Sequence, residues 1–383
     1  MIEVRVEELK KTVAKLNLAI EKSKINPKSG WIELESRDNG TVGVKVGNYD
    51  YYLEASIPFE QVDEEGFHAT VTAETFVPLV SKLETECVEI SERLNALILT
   101  TKNAEYTFPI IKELGKVKSI DAIAFNPVRC IRSSITGAQT ASIADTNAKG
   151  LMDSLFSKDV QQFVYVDNDG ALTYTENIYI NNFDKRAESD GDFRFLLNCT
   201  QAKLLKVFED FDTVDVAVEY QENYESAVKV QLSVADAITL TLITQPNQMV
   251  DKFPALKLRN LASAVSETHA VIDKKALEKA LARLMVFDKK FDITVLNYSK
   301  FVWDTDSVKL VSIKNQNYEV VPYISGTNTS EHESIIRFAD IVNQLKAVQS
   351  KEIDISYGDS PAIVINSEGL KQLIPEIRAV ERA

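Results

Sequence analysis

The chain has 383 residues, of which 45% are hydrophobic and 26% charged, a composition that predicts two or three folded domains and excludes a disordered chain. Asp and Glu outnumber Lys and Arg by 57 to 43, giving a formal net charge of -14, so nucleic acid can bind only where basic residues are concentrated. The sequence shows no signal-peptide pattern and no apolar run of about 18 residues, so we expect a cytoplasmic protein without a membrane segment.

The first third opens with an amphipathic helix, VEELKKTVAKLNLAIEKS, in which one apolar stripe contains Val6, Leu9, Val13, Leu16 and Ile20. A hairpin follows in IELESRDNGTVGVKV, where Asn39-Gly40 is a strong tight-turn signal. A second helical stretch around Phe76 then gives way to a strand near Val88 and a further strand, ALILTT. The order is therefore helix, strands, helix, strands.

The middle third repeats this order. NPVRCIRSSI predicts a helix with Asn126 as its N-cap and Pro127 at its first position. FVYVDNDGALTYTE predicts a hairpin that turns at Asp169-Gly170. TQAKLLKVFEDF then predicts a second helix, followed by the strands VDVAVEY and AVKVQLSV.

The last third follows the same pattern. Its first helix is DKKALEKALARLMVF, capped by Asp273, and its hairpin is KFVWDTDSVKLVSI. FADIVNQLKAVQ, EIDISYG and AIVINS complete it, with copies roughly 125–135 residues apart. We predict an α+β protein of three similar domains, at 1–117, 118–252 and 253–383, rather than three unrelated α+β domains.

Basic residues lie opposite the apolar stripes of these helices. The pattern is clearest in the first helices of the first and last thirds, and in the second helix of the middle third. Solvation alone would explain lysines on any one helix, but not basic faces on several helices of an acidic chain. The residues that we predict to face DNA are Lys11, Lys15, Lys22, Lys82, Arg129, Arg132, Lys203, Lys206, Lys275, Lys279, Arg283 and Lys346. Such a surface would bind phosphates without reading bases.

With this pattern the chain resembles the DNA polymerase III beta subunit family, the bacterial-type sliding clamp. The similarity covers the whole chain as architecture, and its local matches are Lys252-Phe253-Pro254, the helix ALEKALARLMVF and Ile374-Pro375. The resemblance implies the DNA-clamp fold, with two helices packed on antiparallel sheet in each domain. It implies a head-to-tail homodimer whose twelve helices line a ring around duplex DNA.

The resemblance also implies a function without catalysis, cofactor or bound metal. The chain would be a processivity factor that encircles double-stranded DNA without sequence preference. Its protein partners would be the replicative DNA polymerase and the clamp loader, and it would have no membrane partner. An acidic outer surface around a basic bore would account for the negative net charge.

By position, the resemblance places a partner-peptide pocket and a subunit interface. The pocket residues would be Val160, Leu172, Asn177, Tyr179, Ile180, Asn181, Pro254, Leu258, Ile374 and Pro375. The dimer interface would be formed by Tyr106, Phe108, Met285, Val286 and Phe287, for which an ordinary core role is an equal alternative. Where the family usually has TDGHRLA, this chain has NIYINNF, which predicts a divergent, viral-type clamp with different partner peptides.

Reactive groups do not converge in the sequence. His68, His269 and His332 lie in different thirds, and no GxSxG, HExxH, Walker or GxGxxG motif occurs. The acidic residues Glu209–Asp212 predict a solvated helix end, Asp304 and Asp306 predict a turn, and Cys87, Cys130 and Cys199 predict reduced, small core residues. Two alternatives stay open: a non-ring interaction scaffold, and a metal-dependent nucleic-acid enzyme that uses scattered carboxylates.

Overall fold

The computed structural model divides the chain into two compact units. It describes residues 1–21, 27–61, 66–112, 117, 119–121, 123, 128–131, 160, 163–174, 180–184, 191–219, 227–235, 237–263, 266–288, 298–313, 316–358 and 361–376. The first unit comprises Met1–Arg132, Glu188–Phe195 and Lys203–Asn247, and the second comprises Ser133–Ala187, Leu196–Ala202 and Gln248–Ala383. Among the described residues, none of the helices combines the length and apolar character that a membrane crossing requires.

The α-helices of the described residues are short, and antiparallel sheet dominates. The helices are α1 (Val6–Leu16), α2 (Ala73–Ser81), α3 (Cys199–Leu204), α4 (Asn247–Lys252), α5 (Ala255–Ala262), α6 (Lys274–Asp288) and α7 (Phe338–Leu345). The predicted α+β class with antiparallel sheets is confirmed.

The first unit contains two antiparallel sheets. A five-stranded sheet has the order β5-β1-β7-β8-β9 and consists of β1 (Ile2–Arg5), β5 (Glu60–Gln61), β7 (Cys87–Arg93), β8 (Ala96–Thr101) and β9 (Ala104–Pro109). An eight-stranded sheet has the order β10-β15-β16-β17-β4-β3-β2-β6 and consists of β2 (Trp31–Arg37), β3 (Thr41–Gly47), β4 (Tyr51–Pro58), β6 (His68–Thr72), β10 (Val128–Ile131), β15 (Thr213–Glu219), β16 (Lys229–Val234) and β17 (Ile238–Ile243). Leu240 of β17 pairs with Leu53 of β4, so strands from the first and middle thirds share one sheet.

The sequence accounts for the local structure of this unit. α1 buries Val6, Leu9, Val13 and Leu16, as its periodicity predicts, and packs on α2 and β4. It ends earlier than predicted, and residues 17–19 form a 3-10 turn. Gly40 has a φ of 76° in the β2–β3 turn, a left-handed conformation that costs glycine little, which confirms the predicted hairpin.

The second unit contains a nine-stranded and a four-stranded antiparallel sheet. The nine-stranded sheet has the order β14-β11-β12-β13-β26-β25-β24-β18-β22 and consists of β11 (Val164–Asp167), β12 (Gly170–Tyr174), β13 (Ile180–Asp184), β14 (Arg194–Leu197), β18 (His269–Asp273), β22 (Ser325–Thr327), β24 (Glu352–Ser356), β25 (Ala362–Ser367) and β26 (Leu370–Pro375). The four-stranded sheet has the order β21-β20-β19-β23 and consists of β19 (Tyr298–Trp303), β20 (Ser307–Ser312), β21 (Tyr318–Pro322) and β23 (His332–Arg337). Ile180 of β13 pairs with Leu373 of β26, so strands from the middle and last thirds are joined here too.

The larger of two hydrophobic cores in the described part of the second unit lies between these sheets and the helices α6 and α7. Leu277, Leu281 and Leu284 of α6 are buried in it together with Phe301 and Trp303. The predicted cap of α6 is confirmed, because Ala276 N donates to Asp273 Oδ1 at 2.6 Å. Asp304 and Asp306 lie in the β19–β20 turn, also as predicted.

One helix prediction and part of the cysteine prediction are wrong. In NPVRCIRSSI, Val128–Ile131 is the strand β10, which pairs with β15, and the rest of that segment lies outside the described residues. Hydrogen bonding to a neighbouring strand overrides the local helix-start signal there. Cys87 and Cys199 are not disulfide-bonded but are only partly buried, so they are not core residues, and the side chain of Cys130 lies outside the described part.

Candidate functional site

Two lysines of α1, Lys11 and Lys15, lie opposite its buried face, and they share one carboxylate. Lys15 Nζ is 3.0 Å from Asp210 Oδ2, and Lys11 Nζ is 3.7 Å from the same oxygen. Lys15 is only 14% exposed, whereas Lys11 is 59% exposed. The hydrogen bond from Lys15, joined by the nearby charge of Lys11, holds the pKa of Asp210 below its ordinary value.

Lys15 has a second neighbour that fixes its position. Its Nζ lies 4.5 Å from the centroid of the Phe211 ring, a cation–π distance. Phe211 and Asp210 belong to the short segment between the 3-10 turn Leu205–Phe208 and β15, and that turn packs against α1. The fold of the first unit therefore brings Lys15 and its two neighbours together from distant parts of the sequence.

Three more predicted lysines of the first unit are exposed. Lys203 on α3 and Lys206 in the following 3-10 turn alternate with the buried side chains of Leu204 and Val207. Lys82 is the exposed C-cap of α2. Within the part of the chain that the structure describes, these three lysines have no ion-pair partner.

In the second unit, α6 presents its basic residues along an open cleft. Lys275, Lys279 and Arg283 line a cleft of about 280 Å³ beside β21, whose Val320 lines it as well. Arg283 Nε and Nη2 donate to the two carboxylate oxygens of Glu319, at 2.7 and 2.8 Å. That pairing raises the pKa of Arg283 and lowers the pKa of Glu319. Two of the three cations, Lys275 and Lys279, are exposed without a described ion pair.

The remaining predicted DNA-facing residues differ in position. Lys346 is exposed just after α7. Arg129 belongs to the strand β10 rather than to a helix, and its side chain lies outside the described part. Lys22 and Arg132 lie outside the described residues altogether.

Four of the predicted pocket residues meet in one hydrophobic cluster of the second unit. These are Val160, Leu172, Ile180 and Leu258. Aromatic residues that were not among the predicted pocket residues form the centre of the cluster: the Phe253 ring stacks on Tyr165 at 4.9 Å and meets Tyr174 edge-on at 5.4 Å. Phe253 was visible only as the middle residue of Lys252-Phe253-Pro254, a segment that forms the junction of α4 and α5.

The other predicted pocket residues are more scattered. Pro254 is the half-buried N-cap residue of α5, and Pro375 ends β26. Ile374 is fully buried in the other core of the unit, among residues such as Leu345. The backbone of Asn181 pairs with Thr173 on one side and Gln372 on the other, and its side chain lies outside the described part. All of Asn177 and Tyr179 lies outside the described residues.

An ion pair that the sequence analysis also missed anchors α5 beside this cluster. Arg259 Nη1 and Nη2 donate to Asp167 Oδ2 and Oδ1, at 2.8 and 2.6 Å, and Asp169 lies 3.6 Å away. Burial is the largest single influence and would lower the pKa of Arg259, but the hydrogen bonds that Arg259 donates to Asp167 and the negative charges of Asp167 and Asp169 together outweigh burial and raise that pKa. The acidic turn of the β11–β12 hairpin was the only sequence signal for this partner.

Two of the predicted interface residues lie on an edge strand and the other three lie near the end of helix α6. β9 is the edge strand of the five-stranded sheet; Tyr106 is partly exposed on it, whereas Phe108 is buried against Phe76, with ring centroids 5.4 Å apart. In the second unit, Met285 packs on the core. Val286 and Phe287 are 61% and 53% exposed.

The strand β21 adds exposed apolar side chains that the sequence analysis did not identify. β21 is the edge of the four-stranded sheet and packs beside α6. Its residues Tyr318 and Val320 are 59% and 51% exposed. Single exposed apolar residues are common on protein surfaces, but these two lie on an edge strand of a described sheet.

The three histidines lie beside one carboxylate each. The pairs are His68 with Glu33 at 3.0 Å, His269 with Asp354 at 3.3 Å and His332 with Glu376 at 3.3 Å. Over the residues that the structure describes, no three His, Cys, Asp or Glu side chains are grouped as metal ligands.

The comparisons with known proteins identify the fold. No protein-family model and no curated protein sequence matches the chain. Among solved structures, the DNA polymerase III beta subunit of Thermotoga maritima matches with a TM-score of 0.74 at 17% identity, covering 99% of both chains. The DNA polymerase beta subunit of Streptococcus pyogenes gives 0.74 at 15% identity, covering 99% of this chain and 100% of its own. The sliding clamp of Bacillus subtilis gives 0.71 at 15% identity and 99% coverage of both chains.

Proposed function

We propose, from the premise that the whole chain has the sliding-clamp fold, that it is a processivity factor for a replicative DNA polymerase. Two copies would close head to tail into a ring around duplex DNA. The observation that carries the proposal is the full-length match of the fold to bacterial clamps, including the DNA polymerase III beta subunit of Thermotoga maritima. Each copy would contribute three domains, at 1–117, 118–252 and 253–383, and would act without catalysis or a cofactor in the cytoplasm.

The exposed lysines support a bore that binds DNA without reading its sequence. Lys82, Lys203, Lys206, Lys275 and Lys279 are exposed on or beside helices in a chain whose net charge is -14. Cations of this kind attract backbone phosphates through a long-range, salt-dependent force that is indifferent to base sequence. A ring held by topology needs few such contacts, so that barriers to sliding stay low.

Two of the edge strands in the described sheets, β9 and β21, support the head-to-tail ring. β9 is an edge strand in the first unit, and β21 is an edge strand in the second. In our proposal β9 of one copy adds to β21 of the next, while Val286 and Phe287 pack against the incoming strand. An edge strand with exposed apolar side chains invites aggregation, and closure of the ring would cover both of these edges.

The hydrophobic cluster around Phe253 supports a docking site for partner peptides. The proposed partners are the polymerase and the clamp loader, each of which would insert a short segment near Pro254, Leu258 and Pro375. Concave apolar sites framed by a few polar groups are the usual form of such recognition. The missing TDGHRLA pattern predicts that these segments differ from the bacterial motif.

Retention on circular DNA tests the proposal. Subunits separated by dilution are allowed to reassemble in the presence of a nicked circular plasmid, and the complex is passed over a gel-filtration column. We expect the protein to stay with the circle and to be released when one restriction cut makes the DNA linear. Equal loss from circular and linear DNA would contradict encirclement, and a stable monomer of 42.9 kDa would favour the non-ring scaffold.

A further inference from the structure

Asp210 occupies a position between two lysines that suits an oxygen of a phosphate group. Its Oδ2 atom lies 3.0 Å from Lys15 Nζ and 3.7 Å from Lys11 Nζ. One anionic oxygen shared by two ammonium groups is also the arrangement in which lysines bind a non-bridging phosphate oxygen. The carboxylate therefore resembles the ligand that such a pair would take from DNA.

The lysine pair is held in place by the fold as well as by the carboxylate. Both lysines project from α1, whose opposite face is anchored by Val13 and Leu16 in the core. Lys15 is mostly buried and lies over the ring of Phe211. Because Phe211 supports its ammonium group, we expect Lys15 to stay near its position when the carboxylate moves away.

Asp210, in contrast, is free to leave. It lies in the turn before β15, and its side chain is 43% exposed. Apart from the two lysines, it has no side-chain partner among the described residues. An exposed ion pair of this kind contributes little to stability, so its exchange for another anion costs little.

We infer that Lys11 and Lys15 form a binding site for one backbone phosphate and that Asp210 is an internal competitor for that site. The inference rests on the proposed function and adds a regulatory residue to it. Each time a phosphate binds, it must displace the Asp210 carboxylate. The net binding free energy of this contact is therefore smaller than the free energy that two lysines without a carboxylate would give. Lys203 and Lys206, which have no described ion-pair partner, would supply the long-range attraction instead.

Replacing Asp210 separates this role from general electrostatics. Binding of a 20-base-pair duplex to the dimeric protein is measured by fluorescence anisotropy from 50 to 300 mM salt. Because Asp210→Asn frees about one additional cation, we expect affinity at 50 mM salt to rise about five- to tenfold and the salt slope to steepen by about 0.9. The matched control is Asp212→Asn, which makes the same charge change two residues away at an exposed side chain without a described ion pair. It should change affinity by less than about twofold.

A second set of variants tests whether the gain passes through the two lysines. In Lys11→Gln/Lys15→Gln protein, Asp210→Asn should no longer increase affinity. The inference is overturned if Asp210→Asn and Asp212→Asn have equal effects, or if the gain persists without the lysines. Asp210→Ser makes the same charge change with a smaller side chain, and it serves as a second test variant if Asp210→Asn does not fold.

Inorganic phosphate separates the inference from the proposed function. Titration of Asp210→Asn protein with phosphate should shift the NMR signal of the Lys15 ammonium group at lower concentrations than titration of the wild type. If neither protein is retained on circular DNA but this phosphate effect is present, the anion site stands and the clamp proposal fails. If DNA is retained but Asp210→Asn changes neither DNA nor phosphate binding, the internal competitor is rejected and the clamp proposal stands.

Discussion

Arg259 donates a hydrogen bond from each terminal nitrogen to Asp167, at 2.8 and 2.6 Å, and these bonds connect α5 to the β11–β12 hairpin. Both side chains are about 15% exposed, 16% for Arg259 and 15% for Asp167. The pair therefore lies in a mostly dry environment, where loss of one charge leaves the other uncompensated. The pair lies beside the Phe253 cluster, so we expect it to help maintain the shape of the proposed docking site.

Removing either member of this pair should destabilise the protein. We expect Arg259→Ala or Asp167→Ala to lower the free energy of unfolding by about 2–3 kcal/mol, as measured by urea denaturation. The double variant should be less destabilised than the sum of the single variants, by about 1–2 kcal/mol, because neither charge is then left alone. Arg283→Ala breaks an equally two-pronged but exposed pair with Glu319 and should have a much smaller effect. Strict additivity of the two single effects would contradict a coupled pair.

Reversing the exposed lysine charges should impair DNA binding without unfolding the protein. Lys203→Glu/Lys206→Glu and Lys275→Glu/Lys279→Glu each change four charge units, and we expect each to reduce duplex affinity at least about tenfold at 50 mM salt. The matched control, Lys102→Glu/Lys112→Glu, makes the same change at exposed lysines outside the proposed surface. Thermal unfolding monitored by circular dichroism should be similar in all three. If the control loses as much affinity, the binding reflects net charge rather than a basic surface.

A charge at the exposed edge of the second unit should dissociate the ring. Phe287→Glu and Val320→Glu each replace an apolar side chain, about half exposed in the single chain, with a carboxylate. Burial of an unpaired charge in the dimer opposes association, so sedimentation should show a monomer at micromolar concentration. Leu94→Glu is the control, because Leu94 is 99% exposed in the β7–β8 turn, outside the proposed interface. Unchanged dimerisation of both edge variants would exclude β21 and α6 from the interface.

Peptides with the standard bacterial clamp-binding motif should bind weakly. The strand segment that resembles part of the family's pocket lacks its Gly, His and Arg, and Phe253 packs between Tyr165 and Tyr174 in the neighbouring cluster. In calorimetric titrations we expect a dissociation constant at least about tenfold higher than that of the Bacillus subtilis clamp, a difference of about 1.4 kcal/mol. Comparable affinity for the two clamps would show that the motif is read in the same way.

The Arg283–Glu319 pair should contribute to stability above the ordinary pKa of a glutamate and lose that contribution in acid. Hydrogen bonding from Arg283 lowers the pKa of Glu319 from its ordinary value of 4.5, so the folded state binds its proton less readily than the unfolded state. Stability from this pair is then present above pH 4.5 and falls as the pH drops through the lowered pKa. Glu319→Gln should flatten that part of the stability curve measured by urea denaturation. Glu331→Gln, at an exposed glutamate without a described ion pair, should leave it unchanged.

The sequence predicted the local features and missed the long-range ones. Asn39-Gly40 and Asp273 act on their own neighbours, so the turn and the helix cap could be read directly. Asn126 and Pro127 carry an equally clear helix signal, yet Val128–Ile131 forms a strand, because the ladder with β15 provides hydrogen bonds that local preference cannot anticipate.

The same limit applies to the candidate site. Helical periodicity places Lys11 and Lys15 away from the apolar stripe of α1, but no periodicity connects them to Asp210, which belongs to a different third of the chain. Likewise, no local pattern connects Arg259 to Asp167, which precedes the predicted turn at Asp169-Gly170. The fold determines which charged residues meet. The exposed lysines could therefore be predicted from the sequence, but the carboxylate of Asp210 beside Lys11 and Lys15 could not.

The pairing of β13 with β26 has a consequence for how the protein is made. The strand β26 lies between β13 and β25, yet it is translated last among the described strands. While the ribosome is still synthesising the last third, β13 lacks β26 as its neighbour, and its exposed edge can pair with a non-native strand. We therefore expect folding of the nine-stranded sheet to finish only after the last third has left the ribosome, whereas β17 can join the existing β4 while synthesis of that third continues.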